Sequence, residues 1–275
     1  MENTAFIADM VNTADFNAVS PYATKNLDLN LHPIQHNKSL VSRFEQNIEA
    51  IKVLKQIEAT GRKPTQAEQI TLSNYSGFGG LTAAFPNIDG VYTNDAWKVR
   101  GELLKSLVTD AEYSSITFTL SSAFFTPSHI VNAMWKMAEK AGFRGGVVLE
   151  PSCGSGFIMG HTPKDYFTKT LAVELDIITA KVAELVYPEN TVMQTGFENI
   201  PLQKGMFDLA IGNPPYSGEY SLHFKNNQFL NGLSIHNQFM IASIDALAAN
   251  GIGVMIVSRY FMDAENCSAR YGVSE

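Results

Sequence analysis

Short apolar segments alternate with helical segments through the second half of the chain, from about residue 124 onward. The strands are predicted over 147–149, 170–175, 191–194, 207–211 and 252–257. The helices are predicted over 128–141, 177–187 and 236–249. Strands that are separated by helices pair in parallel, because each helix carries the chain back along the sheet. The alternation therefore predicts an α/β fold with a doubly wound, Rossmann-like sheet.

Composition and periodicity divide the chain into three regions. Residues 1–37 are rich in Asn, Ala, Thr and Asp without sustained periodicity, which predicts a flexible N-terminal arm. Residues 38–115 are predicted to form a helical lead-in region, since apolar residues recur there at steps of three and four. Residues 116–275 are then the domain that carries the sheet.

Local signals punctuate the lead-in region. Gly61 is predicted to end its first helix, and Thr65 with Glu68 makes a capping box that opens the next. Residues 75–81 read Tyr-Ser-Gly-Phe-Gly-Gly-Leu. Three glycines beside two aromatic residues are typical of a tight turn that brings backbone close to another group. A purely structural turn is the alternative.

The charge balance limits how the chain can meet nucleic acid. With 20 Lys and Arg against 27 Asp and Glu, the formal net charge is -7. A grip through the whole surface is excluded, so any DNA binding needs a local basic patch. Residues 38–63 are the most basic stretch, and form either a phosphate-contacting face or a solvated helix face. Its cations are Lys38, Arg43, Lys52, Lys55, Arg62 and Lys63.

Composition also bears on the compartment. The two cysteines, Cys153 and Cys267, are too few for a disulfide scaffold. No apolar run reaches the roughly 20 residues of a membrane span, and the N-terminus lacks the segments of a signal peptide. We expect a cytoplasmic protein without a membrane partner.

A glycine-containing loop follows the first predicted strand directly. In a doubly wound sheet, ligands bind at the carboxyl ends of the strands. The dinucleotide fingerprint requires a third glycine where this chain has Met159, so that interpretation is weakened. The candidate cofactor contacts of the loop are Glu150, Pro151, Cys153, Gly154 and Gly156.

An acidic residue ends the second predicted strand. The two oxygens of the Glu174 carboxylate can accept from both hydroxyls of a ribose. Asp176 competes for this role and could equally cap the helix that follows.

The fourth predicted strand runs straight into Asn213-Pro214-Pro215-Tyr216. The two prolines fix the backbone and remove two N–H donors, which leaves a corner rich in acceptors. The Asn213 side-chain oxygen and the Pro214 carbonyl can together hold both hydrogens of a planar –NH2 group. Tyr216 offers a face for stacking of a base, worth roughly 1–3 kcal/mol. These residues are the candidate catalytic set, and Asn213 is also a candidate cofactor contact.

These motifs resemble those of the gamma group of N6-adenine DNA methyltransferases. Residues 213–216 look like their motif IV, residues 149–157 like motif I, and residues 124–127 like motif X. The resemblance implies S-adenosylmethionine as cofactor and methyl transfer to adenine in DNA. It places Phe125, Thr126 and Pro127 near the methionine end of the cofactor, and Glu174 at the ribose.

The lead-in region carries a second resemblance. Residues 43–85 look like the corresponding part of large methyltransferase–helicase proteins of phages and mobile elements, among them the phage defence-against-restriction proteins. With residues 97–113 and 258–263, the likeness covers roughly 38–263. It implies a protein that acts in a bacterial host cell, or is associated with the virion, and protects DNA against restriction.

The chain departs from that family in two places. After the third strand, Gly196 is followed by Phe197 and then by Glu198, instead of by an acid directly. Both are candidate neighbours of the cofactor's adenine, Phe197 by stacking and Glu198 by accepting from its amine. The family's sheet usually has two more strands, followed by a target-recognition region or a helicase, and we expect residues 264–275 to be too few for either. A partner subunit or a second copy of the chain is one way to complete the sheet.

Other functions fit the same motifs. The Asn-Pro-Pro-Tyr corner can hold a glutamine side-chain amide or an amine in RNA, and residues 124–127 and 43–85 favour DNA. A non-catalytic protein that binds DNA or a restriction complex is another alternative. No metal site is expected, because the ligand spacing is missing at His129, His161, His223 and His236.

Overall fold

The computed structural model describes residues 25–34, 39–121, 125–216, 221–225 and 227–257. The lead-in helices are α1 (Leu40–Thr60), α2 (Gln66–Ser73), α3 (Asp95–Leu107) and α4 (Asp110–Thr119). Gly61 ends α1 in the left-handed conformation, with φ of 59°. Thr65 and Glu68 form the predicted capping box of α2. Both local signals are confirmed.

A parallel sheet fills the second half of the described chain. Its strands are β1 (Gly146–Glu150), β2 (Thr168–Glu174), β3 (Thr191–Gln194), β4 (Phe207–Gly212) and β5 (Leu247–Met255). Their order is β3-β2-β1-β4-β5, and every pairing is parallel. The predicted doubly wound α/β fold is confirmed. The order reverses between β1 and β4, and the carboxyl ends of the strands beside that reversal are where such sheets bind ligands.

Helices cover both faces of the sheet. They are α5 (Ser128–Ala141), α6 (Ile177–Val186) and α7 (Ile235–Asp245). Neighbouring residues of β1 point to opposite faces: Val148 packs into the core on the lead-in side, and Leu149 into the core beneath α7. In the part of the chain that the structure describes, no helix has both the length and the apolar character that a bilayer crossing requires.

The last helix and strand differ from their predicted limits. Helix α7 ends at Asp245 instead of 249, and β5 starts at Leu247 instead of 252. The register jumps within β5, because Phe207 pairs with Leu247 while Leu209 pairs with Ile252. A bulge of this kind leaves no apolar periodicity in the sequence, so the pattern could not reveal it.

The predicted N-terminal arm is in part an ordered element. Residues 1–24 and 35–38 lie outside the described residues, but residues 25–34 pack against the core. Leu27 and Leu29 are 4% and 1% exposed. Their N–H groups donate to the Val186 and Gly160 carbonyls at 3.1 and 2.8 Å. The prediction of a loose arm is wrong for these ten residues, because two leucines outweigh the polar composition around them.

The lead-in region and the sheet share one core. Gln69 on α2 donates to the Leu185 and Val186 carbonyls at the end of α6, both at 3.3 Å. Residues of α1, α2, α5, α6 and β1 belong to the same buried cluster. The predicted boundary between residues 115 and 116 falls inside α4. It is therefore not a division between separately folded parts.

An ion-pair cluster fastens the lead-in helices to α6. The Glu112 side chain is 4% exposed and accepts from Lys55 at 2.6 Å and from Lys181 of α6 at 2.9 Å. Lys181 also pairs with Glu58 at 2.6 Å. Burial alone would raise the pKa of Glu112, but hydrogen bonds from Lys55, the Thr109 backbone and Lys181 lower it to about 2.

Replacement of Glu112 with glutamine should lower the free energy of unfolding by about 2 kcal/mol, since it removes the buried charge that both lysines contact and leaves them only the more exposed Glu58. The pKa of this carboxylate is lowered on folding, so its contribution is present above pH 4.5 and is lost as the pH falls toward 2. Urea denaturation at pH 7 and pH 3 measures both effects. Glu49→Gln is the control, because Glu49 is 61% exposed and its pair with Lys52 is 3.6 Å long. An equal loss of stability in both variants would show that the buried ion-pair cluster contributes no more than a surface pair.

The basic stretch over residues 38–63 is largely neutralised within the protein. Arg62 forms a bidentate pair with Glu68, and Arg43 donates to the Gly79 carbonyl at 2.9 Å. Lys52 and Lys55 pair with glutamates. Lys38 lies outside the described residues. Lys52 and Lys63 are exposed, so these contacts do not decide between the two predicted alternatives.

Candidate active site

A cavity of about 270 Å³ opens at the carboxyl ends of β1, β2 and β4, beside the point where the strand order reverses. Most residues singled out from the sequence line it. They are Phe125, Thr126, Glu150, Pro151, Cys153, Gly154, Glu174, Phe197, Glu198, Asn213 and Pro215. The topology thus brings together segments that lie far apart along the chain.

The two glycines of the loop after β1 have different tasks. Gly154 has φ of 55°, and nothing lies within 4 Å of where a Cβ atom would be, so its backbone faces open space. Gly156 has φ of 81°, and a Cβ there would lie 2.4 Å from the Tyr187 ring. The sequence suggested that both glycines allow close approach of a ligand. In the structure Gly154 borders the cavity, whereas Gly156 makes room for a buried tyrosine.

Glu174 joins the end of β2 to the glycine loop. One carboxylate oxygen accepts from the Gly154 N–H at 2.9 Å, and the other accepts from the Asp176 N–H at 2.8 Å. The side chain remains accessible from the cavity while protein encloses it. Burial, helped by the charge of Asp176, raises the pKa of Glu174 to about 7, although hydrogen bonds from backbone N–H groups act in the opposite direction. Each oxygen keeps a second lone pair for a ligand.

Asp176 caps α6. Its side chain accepts from the Thr179 N–H at 2.8 Å, and it is 3% exposed. Burial raises the pKa of this carboxyl. Of the two acids that the sequence offered for a ribose, Asp176 has the capping contact and Glu174 is the one that bonds the glycine loop.

Two further titratable groups, at the end of β1 and in the loop that follows it, are buried. Glu150 is 1% exposed, and one of its oxygens has no hydrogen-bond partner within the described residues. Burial, and next the charge of Glu174, raise the pKa of Glu150 well above its ordinary value. Burial likewise raises the pKa of the Cys153 thiol, with the charges of Glu150 and Glu174 as further causes. Burial thus disfavours the charged form of both groups.

The corner after β4 presents Asn213 to the cavity. Its amide nitrogen donates to the Thr126 hydroxyl at 3.1 Å, and its backbone carbonyl accepts from the Ser152 hydroxyl at 3.3 Å. With the nitrogen bound to Thr126, the side-chain oxygen is the atom left for a ligand. Thr126 is thus in place before α5, and it contacts the amide that the sequence identified.

Tyr216 bonds the same amide through its hydroxyl. The single O–H lies 2.8 Å from the Asn213 side-chain oxygen and 2.7 Å from the Ile256 carbonyl. Burial raises the pKa of this phenol to about 12, so it remains a donor at neutral pH. The sequence suggested only a stacking face, and a hydroxyl contact to Asn213 has no signal in the motif. The proton can serve either acceptor, which leaves the Asn213 oxygen available when a better donor arrives.

The segment after β3 places its two candidates differently. Phe197 is 2% exposed and stacks on Phe239 of α7, with ring centroids 4.9 Å apart and an interplanar angle of 11°. It borders the cavity as part of the core, which leaves one edge for a ligand. Glu198 also borders the cavity, and one of its oxygens is buried without a hydrogen-bond partner among the described residues.

The segment before α5 holds the other candidates. Phe125 packs edge-on against Phe157 of the glycine loop, with centroids 4.4 Å apart. Pro127 precedes α5, is exposed and does not line the cavity. Phe124 and residues 258–263 lie outside the described residues.

Cavity residues also come from segments that the sequence had not assigned to the site. They are Ser76 and Gly77 of the turn over residues 75–81, and Phe118 and Thr119 at the end of α4. The turn had signalled a close approach, but its partner could not be read from the chain. Leu222 and Phe239, of the core beneath α7, also line the cavity. No local pattern reveals their place in the site, because it depends on how distant parts of the chain pack.

Histidines take no part in a metal site within the described ranges, where no group of three or more His, Cys, Asp and Glu side chains converges. His161 is 5% exposed, and its ring nitrogen is 2.8 Å from the Phe157 carbonyl. It supports the glycine loop from behind.

The polar groups of the cavity fit an adenosine-containing cofactor. The free lone pairs of Glu174 match the two hydroxyls of a ribose. The unpartnered oxygen of Glu198 is an acceptor for a base amine, and a buried polar atom of this kind costs free energy until it is paired. The open space over Gly154 allows a chain to pass close to the backbone.

The class of the chain follows from which strand ends carry these groups. A carboxylate after β2 that faces a glycine loop after β1 is how doubly wound sheets hold a ribose, and the corner after β4 adds acceptors for an amine. The chain has the fold of an S-adenosylmethionine-dependent methyltransferase, and S-adenosylmethionine is the cofactor of that class.

Sequence comparison agrees. Residues 155–271 match the family model of the Eco57I restriction-modification methylases. Defense against restriction protein B of Escherichia phage P1 is 24% identical over 147 residues, which are 53% of this chain and 6% of that protein. Modification methylase CviBIII of Paramecium bursaria Chlorella virus NC1A is 28% identical over 138 residues, 49% of this chain and 37% of that protein.

The chain thus spans 6% and 37% of the length of these two relatives. The resemblance drawn from the motifs, to modification methyltransferases and to phage proteins of defence against restriction, is confirmed. Among solved structures, a putative class I S-adenosylmethionine-dependent methyltransferase of Listeria monocytogenes superposes with a TM-score of 0.43 at 12% identity, covering 83% of this chain and 77% of that one.

Proposed function

We propose that the protein transfers a methyl group from S-adenosylmethionine to the N6 amine of adenine in DNA. One observation carries the proposal: Asn213 and Glu174 line the same cavity, at the ends of β4 and β2. The ribose position and the amine position are therefore within the reach of one cofactor. The resemblance of residues 213–216 to motif IV supports adenine as the base.

The residues of the corner would prepare the amine for attack. The lone pair of an exocyclic amine is delocalised into the base, which makes the nitrogen a poor nucleophile. Acceptance of its hydrogens by the Asn213 side-chain oxygen and the Pro214 carbonyl would localise that lone pair. The cofactor, when bound, supplies an electrophilic methyl group. The protein's contribution is positioning and electrostatic shaping.

The adenine must leave the base stack to reach this corner, or be single-stranded already. The Tyr216 ring would then stack on it, and the Tyr216 hydroxyl would give its proton to the Ile256 carbonyl instead of to Asn213. The 2.7 Å contact to Ile256 is already formed, so this exchange requires no movement of the backbone.

Protection of DNA against restriction is the biological role that the relatives support. One carries defence against restriction in its name, and the other is a modification methylase. Methylation of a recognition site would block cleavage there. DNA is accordingly the partner that we propose, and the exposed Lys52 and Lys63 of the basic stretch are candidate contacts to its phosphates.

Labelled methyl counted from S-adenosylmethionine into unmodified DNA, RNA and a glutamine-containing peptide tests the proposal. We expect label in DNA, recovered as N6-methyladenine after digestion to nucleosides. Label in the peptide or in RNA alone would contradict it and favour one of the other amine or amide substrates.

The two functions of Tyr216 can be separated by replacement with phenylalanine and with alanine. Tyr216→Phe keeps the ring and should reduce kcat/KM for DNA by about fivefold, since one hydrogen bond is lost. Tyr216→Ala also loses stacking, which should cost a further ten- to hundredfold or roughly 1–3 kcal/mol. Steady-state rates with DNA varied at saturating cofactor measure both. Equal loss in the two variants would show that the hydroxyl matters and the ring does not.

A further inference from the structure

The turn over residues 75–81 belongs to the lead-in region, yet it borders the cofactor cavity. Ser76 and Gly77 line the cavity directly. Gly77 and Gly80 have φ of 68° and 73°, in the left-handed region that glycine adopts most readily. The turn therefore brings its backbone to the cavity in a conformation that other residues would strain to adopt.

The position of the turn is at the Glu174 end of the cavity. Tyr75, the first residue of the turn, is 1% exposed, and the next two residues line the same cavity as Glu174 and Asp176. The end of α4 lies on the same side, since the Ser115 hydroxyl accepts from the Ile177 N–H at the start of α6 at 3.0 Å. These contacts put the 75–81 turn over the part of the cavity where a ribose would lie.

Asn47 of α1 holds the turn in place. It is fully buried, and its amide nitrogen donates to the Gly77 carbonyl at 2.6 Å. Its side-chain oxygen accepts from the Ser76 N–H at 2.9 Å. The two ends of the Asn47 amide thus bond the backbone of Ser76 and of Gly77, the two residues of the turn that line the cavity. One helical turn earlier, Arg43 donates to the Gly79 carbonyl at 2.9 Å.

A buried amide with this bonding is costly to place, because its polar atoms must leave water and find exact partners. The apolar neighbours Phe44, Ile48 and Ile51 already supply the packing of α1. The polar side chain adds one thing that they cannot, a fixed orientation for the Ser76 and Gly77 backbone. That orientation sets the surface that Ser76 and Gly77 present to the cavity.

We propose that the 75–81 turn is the outer wall of the nucleoside end of the cofactor site, and that Asn47 is the positioning residue that fixes it. The inference rests on the proposed function, because it takes the cavity as the S-adenosylmethionine site. It assigns to the lead-in region a part in cofactor binding, and the ligands concerned are compounds that contain adenosine. Asn47 touches no ligand itself.

Calorimetric titration with S-adenosylhomocysteine tests the role of Asn47. Asn47→Ala should weaken binding about tenfold, since the wall loses its two hydrogen bonds to the amide. Gln69→Ala is the matched control, a buried amide that also bonds backbone carbonyls but does not line the cavity. It should lower the melting temperature as Asn47→Ala does and leave the affinity within about twofold. Equal affinities in Asn47→Ala and wild type would overturn the proposal.

A second variant and a second measurement guard against a misfolded Asn47→Ala protein. Arg43→Gln loosens the other end of the turn and should weaken binding about threefold. Hydrogen exchange in the wild-type chain should slow for the amides of residues 75–81 when S-adenosylhomocysteine is added. Unchanged exchange there, with binding intact, would overturn the proposal. Wild type that binds the cofactor but methylates no DNA would refute the proposed function and leave this inference standing.

Discussion

Replacement of Asn213 with alanine should reduce the rate of methyl transfer to DNA by about a hundred- to a thousandfold, the cost of removing one preorganised electrostatic group from an active site. The side-chain oxygen would be the acceptor that localises the lone pair of the target amine. Among the described residues, the side chains that hydrogen-bond the Asn213 amide are those of Thr126 and Tyr216. Neither of them could replace the lost acceptor in the same position.

Binding of S-adenosylhomocysteine should change by less than about threefold in the same variant, since the ribose and base contacts lie at the other strand ends. Single-turnover transfer and calorimetry together measure the two quantities. Asn190→Ala is the control, because Asn190 is half-buried and bonds the Met159 sulfur outside the cavity. Equal losses of transfer and of cofactor binding would contradict the separation of roles.

Much of the fold was legible in the sequence because it depends on local patterns. The strands β1 to β4 and the helices α5 and α6 follow apolar periodicity with clear breaks between elements, and the capping box at Thr65 is purely local. The bulge in β5 and the packing of Leu27 and Leu29 are different. Each depends on a partner distant in the chain, which no periodicity reports.

The site shows the same division. The strand-end position of Glu174 and Asn213 follows from topology, so the sequence could place both residues at one cavity. Gly156 looked like a ligand contact because a glycine says only that a side chain is excluded. What excludes it here is the Tyr187 ring, and that contact exists only in the folded chain. For the same reason, the sequence predicted a close approach at the 75–81 turn but could not show that Ser76 lines the cavity.

The charges of the lead-in region gained a different meaning in three dimensions. From the sequence alone, residues 38–63 are the candidates for contacts to phosphate, because they form the most basic stretch of the chain. In the structure Lys55 meets the buried Glu112, Arg62 meets Glu68, and Arg43 supports the 75–81 turn. The same stretch that suggested a DNA-binding face thus also ties the lead-in helices to the sheet and supports the 75–81 turn.

The affinity for S-adenosylmethionine should depend on pH through Glu174. Its pKa is raised to about 7 in the free protein, mainly by burial, so the carboxyl gains a proton as the pH falls below 7. A protonated carboxyl is a poorer acceptor for ribose hydroxyls. The dissociation constant should therefore rise about tenfold between pH 8 and pH 6, and cofactor binding at pH 7 should release protons.

Replacement of Glu174 with glutamine isolates this effect. The amide has no such titration, so the dissociation constant should stay nearly flat over the same pH range. The affinity of this variant should also be about a hundredfold weaker than that of the wild type at pH 8, since two hydrogen bonds to a charged acceptor are lost. Calorimetry in buffers of different ionisation enthalpy measures both the affinity and the protons released. Wild-type affinity that does not change from pH 8 to pH 6 would contradict a role for the ionised Glu174 carboxylate in holding the ribose.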